Sequence, residues 1–363
     1  MNNVGIAVLL MVLVACDSDD NVYSSFDSVQ NPESAANAAM AELVEEGFRG
    51  SVLVACNHNV VLNQEFGIGA HEEPKVRYWV GSVTKGITAA AVMALVEQGK
   101  LQLDDPISKF FPDAPSDKQN ITIANLLVHG SGLPQNYAAE GHAKRSDAAA
   151  AILAQPLNDL PGAQFNYSND GYSLLAIIIE IASSLPYEEY VSSTIMKPLG
   201  LDDIAFLPAA KRADEFIPEM LSPYEPSQLD VDWGFRGGHG ARLSVDELYT
   251  LTRGLLDRKI ISEESLVTMH KSHFTLSSGL GVGMGWFRET DDAGREMRWM
   301  RGSDERGGNA LVYVVDQADV VVVAASNAGP DRPELRGWSQ AVRDVLLKIY
   351  APADNQSVRA NCG

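Results

Sequence analysis

Apolar, β-branched runs gather near the two ends of this chain, and helical periodicities fill the space between. Gly50 to Cys56 and Val60 to Leu62 form one pair, joined by the turn Asn57-His58-Asn59 and readable as a hairpin. Leu311 to Val315 and Val320 to Ala325 form a second hairpin around Asp316-Gln317-Ala318-Asp319. The intervening segments repeat apolar residues at helical spacing: Val83 to Gln98, stopped by Gly99; Thr122 to Val128; Ser146 to Ala154; Gly171 to Ala182; and Tyr187 to Met196, ending before Pro198. Ser244-Val-Asp-Glu247 is a capping box that opens a helix through about Leu256. Further helices are expected over Ala35 to Glu46 and about Glu334 to Lys348. This order predicts an α/β (α+β) fold. An antiparallel sheet built from both chain ends is flanked by helices and carries an inserted all-helical domain. The expected boundaries are 35–105 with 245–350 for the sheet domain and 106–244 for the helical domain, followed by a tail over 351–363. A cleft between the two is the default place for a site.

The first 34 residues read differently. Val4 to Ala15 is an unbroken small and apolar run, too short to span a bilayer as a helix and suited to the core of a signal peptide. It ends in Leu13-Val14-Ala15-Cys16, which resembles a bacterial lipoprotein cleavage box. That resemblance implies a signal peptide over 1–16 and a lipid on Cys16, with 17–34 as a polar linker beginning Asp17-Ser18-Asp19-Asp20. The alternative is a plain secretory signal with an incidental cysteine. The expected location is the cell envelope, in the periplasm, with membrane contact through that N-terminal lipid only.

The 363 residues are 45% hydrophobic, enough for a large core. The formal charge of −20 argues against nucleic acid or an anionic membrane surface as partner, because phosphate binding needs clustered Lys and Arg. Cys56 and Cys362 stand outside any CxxC or His-rich pattern, so no structural zinc site is implied. Whether they pair or remain two thiols stays open. Gly279-Leu-Gly-Val-Gly-Met-Gly285 looks like a phosphate loop, but no Lys follows it and no βαβ unit surrounds it.

The chemistry is carried by Ser82-Val-Thr-Lys85. Spacing of three puts both side chains on one helical face, and Ser82 stands where a helix begins. A helix N-terminus offers positive potential and free N–H groups to an oxyanion. A serine hydroxyl needs a neighbouring base, and a Lys can serve when desolvation lowers its pKa. Tyr167-Ser-Asn169 follows the turn Pro161-Gly162 and precedes an apolar helix. Tyr167 could relay a proton, and Asn169 could both donate to and accept from a substrate amide. Read blandly, Ser82 is an N-cap and Tyr167-Ser-Asn169 a surface turn.

Together these segments resemble the serine β-lactamase-related family, which includes class C β-lactamases, D-alanyl-D-alanine carboxypeptidases and related esterases. The likeness is carried by Arg77 to Lys85, Leu95 to Pro106, Ile121 to His129 with Ser131-Gly132-Leu133, Pro161-Gly162 with Tyr167 to Tyr172, and Lys197 to Leu201. It implies a β-lactamase/transpeptidase-like fold and an acyl-enzyme on Ser82, with Lys85 and Tyr167 handling its proton. It further implies that Asn169 contacts substrate, that the Ser82 N–H serves the oxyanion, and that no metal or organic cofactor is needed. No serine here has the GxSxG spacing of the competing hydrolase elbow. His129, at a helix end, is expected to satisfy backbone groups, and His239 to be structural.

The family's third element, Lys or His, any residue, then Gly, is where this sequence departs. Aligned on Gly302, the Lys/His position is Met300, and the second oxyanion N–H falls to Ser303. Sliding by one brings Arg301 to that position and puts Ser303 in place of the glycine. If Met300 faces the cleft, Arg301 faces away, because strand residues alternate. The expected function is a serine hydrolase cleaving an ester or amide of a small-molecule or peptidoglycan-like substrate, with esters favoured. The alternatives are a β-lactamase or D-alanyl-D-alanine carboxypeptidase, and a non-catalytic relative that binds peptidoglycan or a partner. The oligomeric state is left open.

Overall fold

A computed structural model describes residues 31–68, 76–201, 205–206, 232–291, 294–303, 309–326, 337–352 and 362. The expected signal segment, Cys16 and most of the expected linker lie outside the described residues.

The two terminal hairpins meet in one antiparallel sheet. Strand β1 (Gly50–Cys56) pairs with β2 (Asn59–Phe66) on one side. On the other it pairs with β11 (Val320–Ser326), running from Gly50 opposite Ser326 to Cys56 opposite Val320. Next come β10 (Asn309–Val315), β9 (Glu296–Ser303), β8 (Phe287–Thr290), β7 (Gly281–Val282) and β6 (Phe274–Thr275), completing eight strands. In β1, β10 and β11 every residue is buried, as expected of strands covered on both faces. The pleat then divides the side chains between two cores. Val52, Val54, Leu311 and Tyr313 pack with helices α1 (Pro32–Glu45) and α9 (Gly337–Tyr350). Leu53, Ala55, Val312 and Val314 turn to the opposite face. On that face α7 (Val245–Leu256) packs against β1, β10 and β11, and the same core takes in α2 (Thr84–Glu97) and α5 (Asn169–Ser183), which pack on each other.

Local chemistry sets the boundaries. Helix α1 begins three residues before the expected start and so takes in the end of the expected linker. The Asn31 side chain accepts the Ser34 N–H, and Pro32 stands in the first turn, where its missing donor costs nothing. Asn57 and His58 hold φ of 46° and 69°, the pair of positive values that a tight hairpin turn requires. Strand β2 runs on to Phe66 through polar Asn63, Gln64 and Glu65, because it is an edge strand with one side in water. The capping box of α7 is complete: Ser244 Oγ accepts the Glu247 N–H, and Glu247 accepts the Ser244 N–H. Cys56 and Cys362 form a disulfide across 306 residues, tying the end of the chain to β1.

Other elements were not foreseen. Helix α8 (Glu263–His270) is capped by Ser262, and β6, β7 and β8 are two to four residues long. Within 279–285, Gly283 and Gly285 serve close backbone packing. A β-carbon on Gly285, at φ 73°, would sit 2.8 Å from the Lys85 carbonyl oxygen. A second, three-stranded sheet joins β3 (Tyr78–Trp79), β5 (Ala241–Leu243) and β4 (Ala205–Phe206). The remaining helices of the middle segment are α3 (Ile123–Leu127), α4 (Arg145–Leu153) and α6 (Tyr187–Val191).

Candidate active site

Ser82 stands in a 3-10 turn, Gly81–Val83, that leads directly into α2. The turn is clamped to β5: Thr84 Oγ1 donates to the Gly81 carbonyl at 2.7 Å and accepts the Ala241 N–H at 3.0 Å. It also touches β9 backbone to backbone. A β-carbon on Gly302 would lie 1.9 Å from the Val80 oxygen and 2.7 Å from the Ser82 nitrogen. One on Gly81, at φ 51°, would lie 3.3 Å from the Ser303 nitrogen. Glycine at both positions therefore lets the Ser82 and Ser303 backbones come together.

Lys85 follows one turn later, on the face that Ser82 occupies. Its Nζ lies 3.0 Å from Ser82 Oγ, 2.8 Å from Asn169 Oδ1 and 2.9 Å from the Gly238 carbonyl oxygen. The side chain is buried, and no carboxylate pairs with it among these contacts. Burial therefore lowers its pKa from 10.5 to about 7. The Tyr167 ring lies 4.9 Å from Nζ, measured to its centroid, and that of Tyr172 lies 5.5 Å away.

Tyr167 comes from the opposite wall. Ser168 caps α5, its Oγ accepting the Gly171 N–H, and this fixes the chain immediately before the helix. Asn169 is thus the first residue of α5 and aims at Lys85, while the Tyr167 hydroxyl donates to Ser82 Oγ at 2.8 Å. Burial raises the Tyr167 pKa above its ordinary value, against the opposing Ser82 hydrogen bond and the positive charge of Arg301. The phenol is neutral at working pH.

Ser82, Lys85, Tyr167 and Asn169 are thus joined by direct hydrogen bonds, with the Gly302 and Ser303 backbones beside them. Met300 is not part of this group. It is buried in the core beneath α2, with its sulfur 2.1 Å from where a Gly86 β-carbon would stand. The condition that Met300 faces the cleft is not met: an apolar thioether is drawn under the helix, where Gly86 leaves room. Arg301, the next residue on β9, opposes the rise in the Tyr167 pKa as the last of its causes, after burial.

Sequence reasoning missed the Gly238 carbonyl, a backbone atom that no residue type advertises. The only signal was the glycine run itself. A β-carbon on Gly237, at φ 76°, would strike the Tyr172 oxygen at 2.2 Å, so the run passes close beside α5 only because no side chain stands at that position. Among the described residues no cluster of His, Cys, Asp or Glu could hold a metal ion. A cavity of about 600 Å³ lies elsewhere, between α7, α8 and the β10–β11 turn. It is walled by ion pairs such as Arg253–Asp319 and Arg298–Asp316 and touches none of the groups around Ser82. The polar geometry at Ser82, rather than cavity size, therefore marks the candidate site.

The family described as Beta-lactamase matches residues 36–347. Among curated proteins, a putative penicillin-binding protein PbpX of Bacillus subtilis is 30% identical over 265 residues, 68% of this chain and 63% of that protein. The chain therefore spans less than two thirds of that relative's length. Among solved structures, the octameric penicillin-binding protein homologue from Pyrococcus abyssi is 25% identical with a TM-score of 0.68, covering 89% of this chain and 78% of that one. A D-stereospecific amidohydrolase from Streptomyces sp., 22% identical, covers 88% and 98% with a TM-score of 0.70 and shares the fold. No helix among the described residues is long and apolar enough to cross a membrane.

Proposed function

We propose that this chain, which belongs to the β-lactamase family of serine hydrolases, cleaves esters or amides through an acyl-enzyme on Ser82. The observation that carries the reading is the convergence of Lys85 Nζ and the Tyr167 hydroxyl on Ser82 Oγ, at 3.0 and 2.8 Å.

The hydrogen bonds suggest how the proton moves. A neutral lysine has two N–H donors and one lone pair. The Asn169 Oδ1 and Gly238 carbonyl acceptors take the two donors, which leaves the lone pair for the Ser82 O–H. As Ser82 Oγ bonds to the substrate carbonyl carbon, its proton passes to Lys85 Nζ. The carbonyl oxygen becomes an oxyanion beside the Ser82 and Ser303 N–H groups, at the end of a helix whose dipole favours negative charge. The neutral Tyr167 hydroxyl, already donating toward Oγ, is placed to relay the proton that Lys85 took from Ser82 to the leaving group as its bond to carbon breaks, regaining a proton from Lys85 as it gives up its own. Water then attacks the acyl-enzyme with the same groups acting in reverse.

For the substrate, a neutral ester is favoured. The strand position aligned with the family's Lys or His holds Met300 here, an uncharged thioether that is buried. Met300 therefore brings no positive charge to the cleft, where a substrate carboxylate desolvated without a partner costs several kcal/mol. The competing reading, a β-lactam or D-alanyl-D-alanine substrate, would draw on Arg301, which follows Met300 on β9 and lies close enough to oppose the rise in the Tyr167 pKa. Steady-state hydrolysis of a short-chain p-nitrophenyl ester tests the main reading. Turnover by the wild type that vanishes in Ser82→Ala supports it, and equal turnover by both rejects it.

An envelope location with lipid on Cys16 is part of the proposal and rests on Leu13-Val14-Ala15-Cys16. Labelled palmitate should enter the wild type and not Cys16→Ser. Equal release of both forms into the soluble periplasm contradicts the anchor.

A further inference from the structure

His129 follows α3 and takes no part in the proton path described above. Nevertheless it touches each residue of the segment from Phe165 to Ser168, which carries Tyr167. Its imidazole stacks on the Tyr167 ring, with centroids 4.3 Å apart and planes 26° from parallel. Its Nδ1 accepts the N–H of Ser168 at 3.1 Å, and its carbonyl accepts the N–H of Asn166 at 2.7 Å. Tyr167 is therefore gripped by hydrogen bonds on both sides and by ring contact on its face. Phe165 and Tyr172 meet the same imidazole at 5.7 and 5.1 Å. His129 holds φ of 55°, a left-handed backbone uncommon outside glycine, and a conformation of this kind persists only where its surroundings impose it.

We infer that His129 is a positioning residue for Tyr167: its ring and Nδ1 fix the tyrosine so that the hydroxyl meets Ser82 Oγ. The inference rests on the hydrolase reading above. The ring must be neutral to keep the Nδ1 lone pair, and the site ensures this. Burial first, then the nearby Lys85 charge, hold the His129 pKa well below the usual histidine range. A tyrosine hydroxyl on a single-bonded side chain sweeps an arc of several ångströms, and misplacement of a reacting group by about 1 Å can cost about a hundredfold in rate. A flat partner at stacking distance removes that freedom without touching the substrate.

The test is a double-mutant cycle read as the rate of Ser82 acylation by a fluorophosphonate, with reagent concentration raised for slow variants. His129→Asn suits it, because Asn tolerates left-handed φ and its Oδ1 can still accept the Ser168 N–H, while the stacked ring is gone. The expected result is a loss of at least about tenfold in the Tyr167 background and less than about twofold in Tyr167→Phe, where there is no hydroxyl left to position. An equal loss in both backgrounds, or no loss in the first, overturns the inference. If His129→Asn does not fold, His129→Gln takes its place. Failure of both to give a cooperative thermal transition would make His129 purely structural and overturn the inference as well. An unlabelled wild type instead rejects the hydrolase reading itself, and this inference with it.

Discussion

Lys85 Nζ and Asn169 Oδ1 stand 2.8 Å apart, joining the start of α2 to the start of α5. An amide oxygen holds the lysine in place without giving it a counter-charge. A carboxylate there would stabilise the ammonium form and raise the pKa that burial has lowered.

The first prediction follows from that contrast. With a Lys85 pKa of about 7, kcat/KM for a neutral ester should rise with pH through about 7 and then level off, as neutral Lys85 accumulates. Asn169→Asp should move the rising limb to higher pH by at least about one unit. The same desolvation has a signed effect on stability. Between about pH 7 and 10.5 the unfolded chain binds a proton that folded Lys85 lacks, so wild-type stability should climb relative to Lys85→Met across that window. Denaturant unfolding at the two ends of the window checks the sign. A pH–rate limb that Asn169→Asp leaves in place would assign it to another group.

The second concerns the proton relay. Lys85→Ala and Tyr167→Phe should each lower kcat by at least about a hundredfold, the usual scale of proton-transfer catalysis. The losses should not add in the double variant, because the two residues serve one oxygen. Full activity in Tyr167→Phe would send the proton by another route.

The third concerns substrate choice. The wild type should hydrolyse short-chain p-nitrophenyl esters with higher kcat/KM than nitrocefin. Met300→His is not expected to improve nitrocefin turnover, since that side chain lies beneath α2 against Gly86 and not in the cleft. Arg301→Ala is the informative variant. If nitrocefin proves the better substrate and Arg301→Ala abolishes that preference, the carboxylate-selective reading is the right one.

The sequence made some of this legible and hid the rest, for physical reasons. Strands β1, β10 and β11 are buried on both faces, so their apolar runs announce them. Strand β2 is an edge, and its polar half looks like loop until its partner is known. Strands β6 to β8 are too short to show a period. At the site, Ser82, Lys85, Tyr167 and Asn169 could be read because side-chain chemistry is encoded in residue type. The direction of Met300 could not, because it depends on the small residue, Gly86, that faces it from another element. His129 had a bland reading as a helix-end residue satisfying backbone groups. It does accept one such group, the Ser168 N–H, but only the fold reveals that the neighbour of that amide is Tyr167.

The central claim is that Ser82 is a nucleophile activated by its two neighbours, and the most direct measurement is intact mass after fluorophosphonate treatment. The account predicts one added phosphonyl group on the wild type, mapped by peptide digestion to Ser82, and none on Ser82→Ala. Equal labelling of both proteins, or none on either, would contradict it.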